Sequence, residues 1–137
     1  MRTTRIFTAI LMTCAVALPA GSQETDAPTF APTPGVSLTD TIWMRTDEAA
    51  QIPGSMQLFL SDGTLISTSC WEGYRLSSWR LIDDDRLSWD EDGAMISARV
   101  VTLDEANMAH ELELATETTL LTFEPAPVPF VCPDMPR

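Results

Sequence analysis

The chain has 137 residues, with 20 acidic and 8 basic side chains and a net charge of −12 at pH 7. None of the basic residues is a lysine. Nucleic acids and anionic membrane surfaces bind clustered cations, so this composition excludes both as partners. An acidic surface can attract a basic protein over long range, although acidity also simply keeps a small domain in solution.

The first 20 residues have the layout of a secretory signal peptide. Arg2 and Arg5 precede an apolar run over residues 6–18, and Pro19-Ala20 precede the expected cleavage point. The apolar run is too short to span a membrane. Cleavage removes both arginines and no acid, so the mature chain carries a net charge of −14. The sequence therefore predicts a periplasmic or secreted bacterial protein.

Cys14 offers a second interpretation, in which a lipid anchors the protein as a lipoprotein. A bacterial lipobox places a small residue just before its cysteine, and Leu11-Met12-Thr13 stands here instead. Cleavage near Ala20 is accordingly preferred to lipidation at Cys14. No transmembrane segment is expected elsewhere in the chain.

Residues 21–37 are rich in Pro, Thr, Ser and Ala, which predicts a disordered tether. Residues 38–134 are expected to form a single domain, because the chain shows no internal repeat and no long helical periodicity. Cys70 and Cys132 remain after cleavage, and two cysteines in an oxidising compartment predict a disulfide. The bridge would pin the Pro-rich tail 124–137 to the end of a mid-chain strand.

Turn signals divide this domain into strands. Asp62-Gly63 separates 56–60 from 64–70, and Asp92-Gly93 separates 87–90 from 95–101. Each Asp-Gly pair suits a two-residue type I′ hairpin, since both residues tolerate a positive φ. The polar run 83–85 marks a third turn, and 41–45 is expected to be the first strand.

The apolar residues of consecutive hairpins fall on one face in a common register. A turn centred on Asp84 sets Trp79 opposite Trp89 and Leu81 opposite Leu87; the next turn sets Trp89 against Ile96 and Leu87 against Ala98. Tight turns at 104–106 and 116–117 then give the remaining pairs, which are Ile96 with Leu114, Ala98 with Leu112, Val100 with His110, Leu112 with Leu121 and His110 with Phe123. A slip of one residue would reverse a strand, so this agreement supports a meander.

The predicted fold class is therefore all-β, a small antiparallel meander closing into an up-and-down barrel of about eight strands. In a barrel of this size the interior is expected to be filled by the protein's own side chains. Those expected to line it are Trp79, Trp89, Ile96, Leu112, Leu114 and Phe123.

His110 is the only histidine, and the register points it inward between Val100 and Phe123. It is a candidate ligand contact or pH-sensitive group, although a hydrogen-bonded structural histidine near one barrel mouth is the preferred interpretation. A zinc site is not expected, because a second histidine and a free thiol are missing. The sequence predicts no metal and no cofactor.

Trp71 and Tyr74 follow Cys70 in a loop or bend. Exposed aromatic side chains in loops are good anchors for a partner, whereas a tryptophan beside a disulfide more often packs against it. Packing is preferred for Trp71. Together with His110, these two residues are the candidate contacts to a partner or ligand.

The acidic runs 83–85, 90–92 and 104–105 fall at predicted turns and are interpreted as solvated hairpin tips whose pKa values are ordinary. The spacing of an EF-hand fails, since Ser88 and Arg99 would occupy its first and last ligand positions. There is no Gly-x-Ser-x-Gly nucleophile elbow and no glycine-rich phosphate loop. We therefore expect a protein that is not an enzyme.

A pattern of common residue types covers the first half of the domain, from Thr41 to Leu87, and consists of Trp43, Phe59, Gly63, Cys70, Tyr74 and Leu87. It resembles the META-domain (HslJ-like) family of small bacterial envelope β-proteins. Ser69-Cys70-Trp71 stands where that family typically has Gly-Cys-Asn. The resemblance implies an envelope protein, often a lipoprotein, without an established enzymatic role. The meander and the early tryptophan are more distantly similar to lipocalins.

Two functions follow as hypotheses. The first is an exported, non-enzymatic binding module that acts through loops at a barrel mouth on a protein partner, such as a basic protein or an envelope component. The second is a lipocalin-like carrier of a small apolar ligand inside the barrel.

Overall fold

The structure is a computed structural model, and it describes residues 35–133. The signal peptide predicted at 1–20, the alternative anchor at Cys14, residues 21–34 of the tether and residue 134 of the predicted domain lie outside the described residues. All regular structure described is β, in eight strands that follow one another around a closed antiparallel barrel. The strands are β1 (Ile42–Arg45), β2 (Met56–Phe59), β3 (Thr64–Thr68), β4 (Arg75–Leu81), β5 (Arg86–Glu91), β6 (Ala94–Leu103), β7 (Met108–Glu113) and β8 (Thr118–Pro125).

The predicted meander is confirmed, and so is its central register. Trp79 pairs with Trp89, and Trp89 pairs in turn with Ile96. The β5–β6 turn is the expected two-residue hairpin, with φ of 53° at Asp92 and 87° at Gly93. The barrel closes where β1 pairs with β8.

The β2–β3 turn differs from the expected type I′ hairpin. Phe59 pairs with Leu65, and the N–H of Leu60 donates to the carbonyl of Thr64 at 2.8 Å, so the turn contains residues 61–63, one residue more than Asp62-Gly63. Only Gly63 has a positive φ, at 88°. The longer turn keeps both Phe59 and Leu65 inside the barrel. A two-residue turn would have paired Phe59 with Ile66, so that Phe59 and Leu65 would have faced opposite sides of the sheet.

The last two hairpins also depart from the predicted turns. The β6–β7 loop takes one residue more than expected, and a bulge between Val100 and Thr102 absorbs it without changing the pairing of Val100 with His110. The β7–β8 register is shifted by two residues, so His110 pairs with Leu121 and not with Phe123. A shift of two preserves the face of every side chain, because alternation along a strand has a period of two.

One end of the barrel is closed by apolar packing. Leu38 lies in the core, and the indole N–H of Trp43 donates to its carbonyl oxygen at 3.0 Å. Thr39 bridges Phe59 in parallel. The buried core consists of Leu38, Trp43, Phe59, Leu65, Leu87, Trp89, Ala98, Val100, Leu103, Met108, Leu121 and Phe123. Of the expected lining residues, Leu114 is exposed because β7 ends one residue before it.

The predicted disulfide between Cys70 and Cys132 is present. The tail that it holds leaves β8 beside the start of β1, where the N–H of Ala126 donates to the carbonyl of Ile42 at 2.8 Å. Through Cys132 the tail is bonded to Cys70, which follows β3 at the opposite end of the barrel. The tail therefore spans the height of the barrel.

Candidate functional site

The second end of the barrel is open and contains a cavity of about 590 Å³. The loops between β1 and β2 and between β3 and β4 form its rim, and Leu121 and Phe123 form its apolar floor. The remaining lining residues are Arg45, Ile52, Ser55, Met56, Gln57, Ser67, Thr68, Ser69, Glu72, Gly73, Tyr74, Arg75 and Glu91. Concave sites of this size commonly bind ligands or partner side chains, so we name this cavity the mouth cavity.

The mouth cavity is polar because the inward positions change character along each strand. Trp43 and Phe59 point into the closed half, while two residues further toward the mouth the inward positions are Arg45 and Gln57. Gln57 pairs with Ser67, which pairs with Arg75, so the polar positions form a continuous row across three strands. The expectation of an interior filled by its own side chains is therefore correct for only one half of the barrel.

Sequence analysis missed this polar row, although the same alternation contains it. The inward apolar residues of the closed half are followed, in the same phase, by inward polar residues at the strand ends. Arg45, Gln57 and Ser67 would have been found by extending the inward face of each strand toward one mouth.

Arg45 forms a bidentate contact with Asp47 at the mouth. Its Nε and Nη2 donate to the two carboxylate oxygens of Asp47 at 2.5 and 2.8 Å. This bidentate bond holds the pKa of the Asp47 carboxyl below its ordinary value, with partial burial opposing it. The charge of Arg45 is thus already balanced.

Arg75 stands across the rim in a looser arrangement. Its Nη1 lies 3.2 Å from Glu91 Oε1 and 3.4 Å from Asp92 Oδ2, and all three side chains are well exposed. The other carboxylate oxygen of Glu91 accepts from the indole N–H of Trp89 at 3.3 Å. Such exposed pairs contribute little to stability, so this part of the rim is free to rearrange around a ligand.

Tyr74 and Trp71, two of the predicted contact residues, are on the open rim. Tyr74 lines the mouth cavity and is 74% exposed. Trp71 belongs to the same loop, where half of its surface is exposed. The structure brings these two side chains to the end of the barrel where the cavity opens.

His110, the third predicted contact, lies behind the floor of the mouth cavity and does not line it. It is fully buried between Trp89 and Phe123, with ring centroids 5.9 and 5.0 Å away. Neither ring nitrogen has a hydrogen-bond partner among residues 35–133, in contrast to the hydrogen-bonded histidine that the sequence suggested. Burial, assisted by the charge of Arg45 and opposed by that of Asp47, lowers the pKa of His110 to about 4.

The acidic turns are organised by their own backbones. Within the described range, no group of three or more His, Cys, Asp or Glu residues is arranged to hold a metal ion.

Asp104 accepts from the backbone N–H groups of Ala106 and Asn107 at 2.8 Å, and these bonds lower its pKa. The ordinary pKa expected for that residue is therefore wrong, since the geometry of the turn was not visible in the sequence.

No protein-family model matches the chain, and no curated protein matches its sequence. In the stretch from residue 35 to 133, no helix has the length and apolarity needed to cross a membrane.

Proposed function

We propose that this protein is an exported, non-enzymatic binding module that holds a protein partner at the open mouth of its barrel. The observation that carries the proposal is the mouth cavity, whose rim presents the exposed ring of Tyr74. Aromatic residues beside a desolvated pocket are the usual anchors of protein interfaces. The disulfide supports export, because such bonds persist in oxidising compartments.

A rigid scaffold with linked rim loops supports this proposal. The closed half is packed with apolar side chains, and the two loops that form the rim are joined by a hydrogen bond from Cys70 N to Pro53 O at 2.9 Å. Binding surfaces placed on such a scaffold lose little entropy when they engage a partner.

The polar lining favours this function over the carriage of a small apolar ligand. Apolar ligands require a cavity whose walls are mostly hydrophobic, and here Arg45, Gln57 and Ser67 lie along one wall. The apolar volume of the barrel is occupied by the core itself. The resemblance to META-domain proteins agrees with an envelope role without chemistry, but it carries no residue-level argument for the site.

Chemical cross-linking in an extract of the source cells tests the proposal. The full oxidised protein and its Ile82→Ala variant, altered at an exposed apolar residue of the closed end, should capture the same protein, whereas Tyr74→Ala should lose it. Equal capture by all three proteins would refute the mouth as the binding site. A stoichiometric apolar compound released from the purified protein, identified by mass spectrometry, would replace the proposal with the carrier.

A further inference from the structure

The mouth cavity has more negative than positive charge around it. Its two cations, Arg45 and Arg75, are both already bonded to carboxylates, those of Asp47 for the first and of Glu91 and Asp92 for the second. An anionic guest would have to displace one of these carboxylates. A guest of that charge is therefore disfavoured.

Glu72 adds a further carboxylate to the lining of the cavity. It takes part in no ion pair within residues 35–133, and only its backbone N–H is engaged, with Ser69 Oγ at 3.1 Å. Because the cavity is concave and the whole chain carries a charge of −12, the field of these carboxylates is reinforced toward the mouth.

The wall of the cavity also offers a buried acceptor. The side-chain carbonyl oxygen of Gln57 is inaccessible to solvent and has no hydrogen-bond partner among the described residues. A buried acceptor left without a donor costs about 1–3 kcal/mol, and this cost would be relieved if the amide turned toward the cavity and accepted from an N–H group there. Gln57 pairs with Ser67, whose hydroxyl lines the same wall.

We propose that the mouth cavity receives a lysine or arginine side chain of the protein partner. The cationic group of that side chain donates to the carboxylate of Glu72 and, once the Gln57 amide turns toward the cavity, to its carbonyl oxygen. The aliphatic stem of the guest lies over the floor formed by Phe123. Tyr74 at the rim covers the entering side chain. This inference rests on the proposed function, since it names the chemistry by which the partner is recognised at the same site.

A pair of short peptides tests the charge requirement without the natural partner. The probes are N-acetylated, C-amidated Gly-Gly-Arg-Gly-Gly and the same peptide with citrulline, which keeps the shape of arginine and removes its charge. Both are titrated into the full, oxidised, isotopically labelled protein. In NMR spectra the arginine peptide should shift the amide signals of Gly73 and Tyr74 in a saturable manner, and the effect should weaken from about 50 to about 300 mM salt. The citrulline peptide should leave these signals in place.

Two charge-matched variants locate the guest. Glu72→Gln should weaken binding of the arginine peptide roughly three- to tenfold. Glu105→Gln, which removes the same charge from the loop at the closed end, should bind like the parent. Equal responses to the two peptides, or equal losses in the two variants, would overturn the inference. If either result is found while Tyr74→Ala still loses the cross-linked partner, the proposed binding function is kept and only the cationic guest is wrong.

Discussion

Replacing His110 by leucine should make the protein more stable and remove most of the loss of stability between pH 7 and pH 5. The imidazole is fully buried, and both ring nitrogens lack partners in the described residues. Leucine has a similar volume and buries no polar atom. At neutral pH the variant should therefore gain about 1 kcal/mol or more in the free energy of unfolding.

The pH dependence follows from the lowered pKa of His110. Its value is about 4 in the folded protein, against 6.5 ordinarily, because burial and the charge of Arg45 disfavour the imidazolium more than Asp47 favours it. Between these values the unfolded chain binds more protons than the folded protein, so stability falls as the pH falls through this range. The loss is about 2 kcal/mol from pH 7 to pH 5, and about 3 kcal/mol once the pH lies below both values.

Urea unfolding followed by tryptophan fluorescence at pH 5, 6 and 7 measures both effects. Carboxylates of lowered pKa, such as that of Asp47, lose their contribution only below about pH 4, so this window reports on the single histidine. Ser88→Ala is the matched control, because it removes a buried hydroxyl without a partner and titrates nothing. Parallel pH profiles for the parent and His110→Leu would refute the reasoning.

Three further predictions concern the tail, the rim and the closed end. Cys132→Ser removes the disulfide, which joins residues 62 positions apart. The variant should have a free energy of unfolding about 4 kcal/mol lower in urea titrations. An unchanged midpoint and an equally protease-resistant tail would contradict this prediction. Gly54→Ala should lower the free energy of unfolding by about 2 kcal/mol, because φ is +64° and the new Cβ would meet the disulfide sulfur at 2.7 Å. Gly73→Ala has open space around it and should lower the free energy of unfolding by less than about 0.5 kcal/mol. Similar melting temperatures of the two variants would be inconsistent with this packing. Trp43→Phe removes the donor to the Leu38 carbonyl and should cost about 1–3 kcal/mol by urea unfolding; a variant as stable as the parent would show that this bond does not hold the closed end.

The central part of the barrel could be predicted because the turns at Asp84 and at Asp92-Gly93, together with strict alternation, limited the register. At Asp92-Gly93 the turn chemistry and the pairing of Trp89 with Ile96 agree, and the structure confirms both. The β7–β8 connection shows the limit of this approach. It contains no glycine, asparagine or aspartate to fix the turn, and the hydrogen bond from Leu114 N to Glu117 O sets a centre one residue earlier than expected.

The candidate site was less predictable than the fold. The exposed aromatic residues of the rim could be identified as loop residues next to Cys70, but the cavity beside Tyr74 depends on how far each polar strand end extends past the core. Gln57 illustrates the difficulty, since an isolated glutamine in a strand reads as a solvent-facing residue until its cross-strand neighbours are known. Its inward position follows from alternation with Phe59, but only closure of the barrel, a long-range event, makes it part of a cavity wall.

The link between Cys70 and Cys132 also sets an order of events during biosynthesis. Cys132 comes after all eight strands in the chain, yet its partner sulfur lies against Gly54, between the two loops that border the mouth. The covalent lock on those loops can therefore close only after the last strand has been made and an oxidant has acted. A chain that is incomplete, or still in a reducing compartment, would carry the barrel residues without a finished recognition end.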